Sequence, residues 1–313
     1  MPDPTTHNHY VAPIETETIA VDAVRITEKP RNLWRDAWTD LRGRPLFWFS
    51  VVLALVFVLM AAWPTLFTSV DPRACELQYS NDGPAAGHPL GYTFQGCDIY
   101  SRVIWGAQTS LSVGLLATAI GSIVGLIMGA LAGFYGGWLD AVLSRIGDIF
   151  FAIPYILAAV VVMTAFSQYR SVPVLALAIG GFAWASTARV VRAEVLRVRQ
   201  ADFIVAAQAV GLSKFRSLMA HVIPNSLAPL LVVSTLALAA SIVAEATLSF
   251  LGVGLGSDVM SWGNDISAAQ SSLRVAPMAL IYPSIALTLA VLAFVTLGEL
   301  IRDAIDPRAR ARR

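Results

Sequence analysis

Long apolar stretches recur along the chain, and their spacing constrains the fold more than any other feature. An α-helix needs about 20 apolar residues to cross a bilayer, with about 17 to 25 as the usual range. Only 14% of the residues are charged, against about 25% in soluble domains. We therefore predict an all-α integral membrane protein with six transmembrane helices, near residues 46–66, 111–134, 149–166, 172–188, 227–248 and 275–298.

The positive charges orient these helices. Of the 22 lysines and arginines, 18 lie before the first span, in the loops at residues 135–148 and 189–226, or after the sixth span. The other four lie in the connections on the opposite side, and they are Arg73, Arg102, Arg170 and Arg274. Because cytoplasmic loops carry an excess of Lys and Arg, we expect both termini and the 189–226 loop to be cytoplasmic.

The two ends of the chain differ from the transmembrane region at residues 46–300. Residues 1–30 are polar and contain four prolines, which predicts a disordered cytoplasmic tail. Residues 31–45 predict an amphipathic helix that either lies in the membrane interface or packs against the bundle. Residues 301–313 are predicted to form a cytoplasmic tail. Because residues 1–45 lack the apolar core of a signal peptide, we expect the first span to be the targeting signal.

Glycine and proline recur inside the predicted spans. The second span has glycines at every fourth position, which predicts a flat stripe for close helix packing. These glycines are Gly121, Gly125, Gly129 and Gly133. Proline frees a backbone carbonyl inside a helix, which predicts kinks in three other spans. These prolines are Pro154, Pro229 and Pro283.

Residues 202–225 predict a cytoplasmic hairpin of two helices. The first helix is expected to stop at Gly211, since glycine accepts the left-handed conformation, and Ser213 is expected to cap the second helix. Pro224 is expected to end it. Four apolar residues of the second helix recur on one face, and they are Phe215, Leu218, Met219 and Val222. Such a hairpin either packs on its own bundle or fits a groove of another protein.

Both cysteines and one carboxylate stand out. Cys75 and Cys97 lie in the predicted outer loop at residues 67–108, where disulfides persist; a disulfide and two free thiols both fit, and we favour the disulfide. Glu245 is the one carboxylate set within an apolar stretch. A carboxylate in a membrane span is usually paired or functional, but near a span end it can also reach solvent.

Several chemistries are missing from the sequence. There is no phosphate-binding G-x-x-x-x-G-K-[ST] motif, and the only lysines are Lys29 and Lys214. Neither a zinc-binding cluster nor a nucleophile elbow is present. The net charge of +1 gives no case for nucleic acid. We therefore expect no catalytic residue, metal or cofactor on this chain, so that energy from ATP would come from a partner.

The 202–225 hairpin also carries a family motif. The string A-A-x-x-x-G followed by H-x-x-P-N resembles the EAA loop of permease subunits in binding-protein-dependent ABC importers. It is carried by Ala206, Ala207, Gly211, His221, Pro224 and Asn225. In that family the loop docks on a cytoplasmic ATPase. The family's glutamate falls at Val205, which either changes the coupling or leaves a neighbouring residue to replace the charge.

Three further elements resemble the same family. The outer loop resembles an element of dipeptide and oligopeptide importer permeases, with matches at His88, Pro89, Gly91, Gly96, Asp98 and Arg102. The fifth span resembles the family's E-A-x-L-S-F-L-G segment at Glu245, Ser249 and Gly252. The end of the chain resembles L-G-D-x-L-R-D-x-L-D-P-R at Glu299, Arg302, Asp303, Asp306 and Pro307.

The resemblance implies a C-type permease subunit of a peptide importer in a bacterial plasma membrane. Its implied partners are a sister permease, two ATPase subunits that hold ATP and Mg, and an extracytoplasmic substrate-binding protein. The implied mechanism is alternating access, driven through the 202–225 hairpin. Nickel, glutathione or another small solute is the alternative cargo. A stand-alone channel, a secondary transporter and a membrane-bound enzyme are the alternatives outside the family.

Overall fold

The structure is a computed structural model that describes residues 33–305. The predicted tail at residues 1–30 lies outside these residues, as do residues 31–32 and 306–313 with Asp306 and Pro307. Within the described range the chain forms helices and connections but no β-strand. The all-α prediction is therefore confirmed.

Eleven α-helices follow one another between residues 33 and 305. They are α1 (Leu33–Arg42), α2 (Pro45–Ala62), α3 (Ile99–Tyr135), α4 (Gly137–Ala152), α5 (Tyr155–Ala165), α6 (Val172–Arg199), α7 (Asp202–Ala209), α8 (Lys214–Ser217), α9 (Ile223–Phe250), α10 (Trp262–Ala269) and α11 (Met278–Ile305). Five continuous helices are long and apolar enough to cross a membrane, and the bent pair α4–α5 supplies a sixth span if it is taken as one.

The spanning helices extend beyond the predicted spans. Helix α3 begins at Ile99 rather than near residue 111, because the Asp98 carboxylate caps it by accepting a hydrogen bond from the Ser101 N–H at 2.7 Å. The outer loop therefore ends about ten residues before residue 108. Helix α6 continues from the predicted end at residue 188 to Arg199. Hydropathy finds only the apolar middle of such helices, since their polar end turns leave the hydrocarbon.

The predicted span at residues 149–166 is wrong as one continuous helix. Helix α4 ends at Ala152, and α5 begins at Tyr155 with its axis bent by 80°. Pro154 has no N–H to donate and disfavours helical geometry in the residue before it. Ile153 is accordingly extended, with φ −89° and ψ 120°.

Pro224 does not end the second hairpin helix, contrary to the prediction. The helix that starts at Lys214 continues to Phe250 as one spanning element. A π-helical turn at Leu218–Val222 precedes Pro224, which lies in the first turn of α9. A π turn changes the hydrogen-bond register of the backbone, so a proline that follows it, with no N–H to donate, need not end the helix. The hairpin is thus built directly onto the N-terminal end of the fifth span.

The glycine stripe of α3 packs closely against α6. A Cβ atom built on Gly125 would lie 2.7 Å from Cβ of Thr187, and one on Gly129 would lie 2.5 Å from the Ala188 carbonyl oxygen. Helix α6 also has a small residue at the contact, because a Cβ atom built on Gly180 would lie 2.4 Å from a carbonyl oxygen of α3. Small residues on both helices therefore set the distance between them.

This packing predicts that Gly129→Ala destabilises the permease fold while Gly121→Ala does not. The added methyl of Gly129→Ala would meet backbone at 2.5 Å, whereas that of Gly121→Ala would lie 3.5 Å from its nearest neighbour. Overpacking costs roughly 1–3 kcal/mol. Thermal unfolding of the two purified variants in the same detergent measures the difference. Equal midpoints would show that α3 and α6 are not held this closely.

Helix α1 packs against the bundle, which is one of the two arrangements that the sequence left open. Ala37 and Leu41 are buried with Leu300 and Ala304 of α11. Arg44, which follows α1, lies 2.6 Å from Asp40 and 3.7 Å from Asp303 of α11. The chain therefore brings its N-terminal and C-terminal described helices together.

Candidate functional site

The turn of the 202–225 hairpin is built around Gly211. Its φ of +94° places it in the left-handed region. The Leu212 N–H donates to the Ala207 carbonyl at 3.1 Å, and the Gly211 N–H donates to that of Gln208 at 3.0 Å. This pair of bonds is the Schellman end of a helix, with glycine at its usual position. Ser213 then caps α8 by accepting from the Arg216 N–H at 3.4 Å.

The hairpin is anchored to the bundle by one side. Three apolar side chains of the hairpin are buried, with exposed fractions of 2% or less. They are Ile204 of α7 and Leu218 and Val222 of the second helix. They pack with Phe134 of α3 and Val195 of α6 in one apolar cluster. The hairpin is therefore packed against the C-terminal ends of α3 and α6 and is not a loose loop.

The other side of the hairpin is an exposed apolar crest. Its five large side chains are half-exposed or more, and they are Phe203, Val205, Val210, Phe215 and Met219. The predicted single face is thus split, because Leu218 and Val222 point inward while Phe215 and Met219 point outward. Val210 at the tip is 89% exposed. Exposed groups of large apolar side chains mark sites of interaction with other proteins or with membranes.

The remaining motif residues lie at the junction between hairpin and span. Ala206 is exposed and Ala207 is half-buried in α7. The Asn225 side-chain amide donates to the His221 carbonyl at 2.7 Å. This bond gives a carbonyl of the π turn a hydrogen-bond partner. Pro224, which directly precedes Asn225, is exposed. Asn225 therefore stabilises the junction between the hairpin and the span.

On the opposite side of the molecule, the outer-loop motif folds onto the start of α3. Asp98 is 1% exposed, and its carboxylate lies 3.0 Å from Nδ1 of His88. Gly91 and Gly96 have φ of +77° and +73°, and Pro89 lies between His88 and Gly91 in the same loop. These residues shape the loop around the cap of α3.

The structure joins Cys75 and Cys97 in a disulfide, the pairing that we favoured over two free thiols. Cys97 directly precedes the helix cap Asp98, so the disulfide ties the outer loop to the first turn of α3. No cysteine in the described part of the chain is free.

A buried ion pair joins α3 to α10. Nε of Arg102 lies 2.9 Å from Oδ1 of Asp265, and Nη2 also contacts that oxygen. The two side chains are 17% and 7% exposed. Burial raises the pKa of the Asp265 carboxyl, and the positive charge of Arg102 opposes that rise. The sequence motif contained Arg102, but nothing in it identified Asp265 as the partner.

Glu245 is the centre of a second buried cluster. Its side chain is fully buried and accepts hydrogen bonds from Ser110 at 2.8 Å and from Ser249 at 2.9 Å. The backbone N–H of Trp262 donates to the same Ser110 hydroxyl at 3.3 Å. Glu245 therefore does not reach solvent near a span end. It links α3, α9 and α10, a role that the sequence alone did not reveal for Ser110 and Trp262.

An open cavity of about 660 Å³ lies between these two clusters and the outer loop. Its charged lining residues are Arg73, Arg102, Arg170, Asp258 and Asp265. Gly252 has φ of +73°, and its carbonyl accepts from Nη1 of Arg170 at 2.9 Å. Within residues 33–305 no group of three or more His, Cys, Asp or Glu side chains is arranged to hold a metal ion.

Comparison with known proteins decides the family. Residues 121–311 match the family of binding-protein-dependent transport system inner membrane components. Residues 32–84 match the N-terminal TM domain of oligopeptide transport permease C. The chain belongs to this permease family. The resemblance read from the four motifs is therefore confirmed, and the permease is a multi-pass membrane subunit of an ABC importer.

Curated relatives cover nearly the whole permease. The dipeptide transport system permease protein DppC of Alkalihalophilus pseudofirmus is 34% identical, and the match covers 89% of this chain and 91% of that protein. The oligopeptide transport system permease protein OppC of Bacillus subtilis is 31% identical, and the match covers 93% of this chain and 95% of that protein. The glutathione permease protein GsiD of Pectobacterium atrosepticum is 33% identical, with 90% of this chain and 93% of that protein covered.

Two solved structures share the fold at low sequence identity. An amino acid ABC transporter solved with histidines matches with a TM-score of 0.50 and 17% identity, over 64% of this permease and 92% of that chain. An inward-facing MetNI methionine ABC transporter matches with a TM-score of 0.51 and 18% identity, over 64% of this permease and 95% of that chain. They support the helical permease fold.

Proposed function

We propose that the permease forms half of the membrane channel of an importer for short peptides, paired with a sister permease. An extracytoplasmic binding protein delivers the peptide, and two cytoplasmic ATPase subunits bind ATP and Mg and hydrolyse the ATP. The observation that carries the proposal is the exposed apolar crest of the hairpin, displayed on a rigid base at the end of the fifth span. The charge distribution of the loops places this crest and both termini in the cytoplasm.

The hairpin is mechanically continuous with the outer side of the permease. The helix from Lys214 to Phe250 has 37 residues, which corresponds to about 55 Å at about 1.5 Å per residue. Its cytoplasmic end carries the hairpin, and Glu245 near its outer end holds the cluster with Ser110. A displacement of the crest by an ATPase is therefore transmitted to the outer cavity. This is the physical basis that we propose for alternating access.

Val205 gives this coupling a mainly apolar character. The residue occupies the position of the family's glutamate and is 60% exposed on the crest. With Phe203 and Val210 beside it, the crest would fit an apolar groove on the ATPase. No ATP or Mg site is proposed for the permease itself, since its sequence has no phosphate-binding motif.

Short peptides are the cargo class that its relatives favour. The named relatives carry dipeptides, oligopeptides and glutathione, and glutathione is itself a tripeptide. The chemistry common to these cargoes is a short main chain with an amino and a carboxyl end. We therefore propose a peptide cargo rather than nickel.

The proposal is tested by purifying the tagged permease from its native locus in mild detergent, followed by mass spectrometry. We expect a second permease and at least one ATPase with a phosphate-binding motif to be recovered. Deleting the locus should abolish uptake of a labelled dipeptide or tripeptide, and excess Ni²⁺ should not compete with that uptake. Recovery of the permease alone, or uptake that is unchanged by the deletion, would contradict the proposal.

A further inference from the structure

The break between α4 and α5 lies near the middle of the membrane. It borders a groove whose walls include Ala183 of α6 and Ala240 of α9. Ala183 is 11 residues from the outer end of α6, and Ala240 is 10 residues from the outer end of α9. At about 1.5 Å per residue, both lie roughly 15–17 Å below the outer surface, about half of a hydrocarbon core of about 30 Å.

The backbone at this break makes few hydrogen bonds, which are from the Ile153 N–H to the Phe150 carbonyl at 3.3 Å and from the Ala158 N–H to the Pro154 carbonyl at 3.1 Å. Phe151 and Ile153 are 53% and 42% exposed. Pro154 precedes α5, and no side chain caps that helix. In the described part of the chain, no backbone hydrogen bond joins the first-turn N–H groups of α5 to α4. Each such group costs several kcal/mol in lipid, so irregular backbone at this depth occurs only against protein or water.

The groove beside the break has both polar and apolar walls. Its volume is about 400 Å³, within the roughly 300–1,000 Å³ range of ligand sites. Thr187 and Ser241 line it and are each 4% exposed. Neither hydroxyl has a hydrogen-bond partner among residues 33–305. Aromatic side chains, including Phe182 and Tyr155, form the apolar walls, and none of the lining residues is charged.

We propose that this α4–α5 groove is part of the transport route and binds the main chain of the peptide in transit. The inference rests on the proposed peptide-import function. The first-turn N–H groups of α5 can donate hydrogen bonds at this break, and the two buried hydroxyls can donate or accept, which matches the amide groups of a peptide. Uncharged walls would not select among side chains. That indifference suits a carrier whose relatives take peptides of different lengths and sequences.

Cysteine accessibility tests whether water and cargo reach the groove. The sequence has two cysteines, and both are in the disulfide, so an introduced cysteine is the only free thiol of the permease chain, and labelling is read on that chain after it is separated from its partners. Ala237→Cys places a thiol in the groove. The control is Leu55→Cys, since Leu55 is 53% exposed in the middle of α2, a helix whose only polar residue is Ser50. Both variants are assayed in the assembled importer in open membrane fragments.

We expect a charged methanethiosulfonate reagent to modify Ala237→Cys at least about tenfold faster than Leu55→Cys. Trialanine at saturating concentration should slow the first reaction and leave the second unchanged. Equal, slow modification of both variants would show that lipid or the sister permease fills the groove, and would overturn the inference. Modification that trialanine does not slow would likewise remove the peptide-binding role.

Removing the two hydroxyls gives a second, kinetic test. Thr187→Val with Ser241→Ala keeps side-chain volume nearly constant while removing two hydrogen-bonding groups. The lost bonds should raise the KM for trialanine uptake about three- to tenfold, with a smaller change in maximal rate. Ser284→Ala is the control, since its hydroxyl bonds only the Leu280 carbonyl of its own helix.

The two proposals fail in different ways. If the wild-type importer takes up no peptide, the proposed function is overturned. If the wild type takes up trialanine but the double variant has an unchanged KM, only the groove inference is overturned. Membrane levels of each variant are measured in parallel, so that loss of uptake through misfolding is recognised by its effect on maximal rate rather than on KM.

Discussion

Arg102→Met is expected to lower the stability of the permease by about 3 kcal/mol, because it leaves a buried carboxylate without its cation. Asp265 is 7% exposed, and its Oδ2 already has no hydrogen-bond partner within the described residues. Arg102 is the only side chain there that pairs with Oδ1. Thermal unfolding in detergent, converted with the measured unfolding enthalpy, gives the change.

Two matched variants distinguish the stability cost of leaving a buried carboxylate unpaired from the cost of losing an arginine charge. Arg102→Met combined with Asp265→Asn removes both charges and should recover much of the lost stability, since replacing a whole buried pair is often neutral. Arg145→Met removes one member of an ion pair with Asp148 in which the side chains are 85% and 49% exposed, and should cost below about 1 kcal/mol. A double variant as unstable as Arg102→Met would contradict this explanation.

The effect of Arg102→Met should also depend on pH. Burial raises the pKa of the Asp265 carboxyl, and without Arg102 nothing opposes that rise. The folded variant then binds more protons than the unfolded chain, so its stability falls as pH rises above the usual pKa of an aspartate. The destabilisation should therefore be larger at pH 8 than at pH 5. A loss of stability that is the same at both values would show that Asp265 stays solvated.

The sequence was most informative where a single helix decides the structure. The apolar runs located the middle of each span, and the four-residue glycine period located the α3 surface that meets α6. Span ends were missed because they depend on caps and on arginines that extend beyond the lipid. Asp98 could have been recognised as a cap from its residue type, since Asp commonly begins a helix. Its apolar neighbours concealed the signal.

Proline positions show why sequence alone could not place the break. Of the three prolines predicted to kink spans, Pro154 accompanies a break. Pro229 and Pro283 lie inside continuous helices, where the kinks stay predictions. The outcome depends on whether neighbouring groups satisfy the freed backbone, which is a tertiary property. The Arg102–Asp265 pair was missed for a similar reason, since its members are 163 residues apart in the chain.

Gly211→Val is expected to abolish most ATP-dependent uptake while leaving the permease in the membrane. A Cβ on Gly211 would meet nothing within 4 Å, so the penalty comes from its φ of +94° and not from a clash. A β-branched residue in this region is strained by roughly 1–3 kcal/mol, so the turn should rearrange and displace Val210 on the crest. The buried anchors Ile204, Leu218 and Val222 keep the hairpin attached to the bundle.

Gly211→Asn is the matched control, because asparagine is close to valine in size but adopts the left-handed region more readily. It should retain most of the uptake, whereas Gly211→Val should lose more than about 90% of it, since a strain of about 1.4 kcal/mol or more shifts an equilibrium at least tenfold. Peptide uptake, membrane level and the amount of ATPase recovered with each variant are measured together. Normal uptake by Gly211→Val would show that the turn is not needed for coupling. Equal loss in both variants would show that the ATPase contacts position 211 directly, so that added size rather than backbone conformation breaks the coupling.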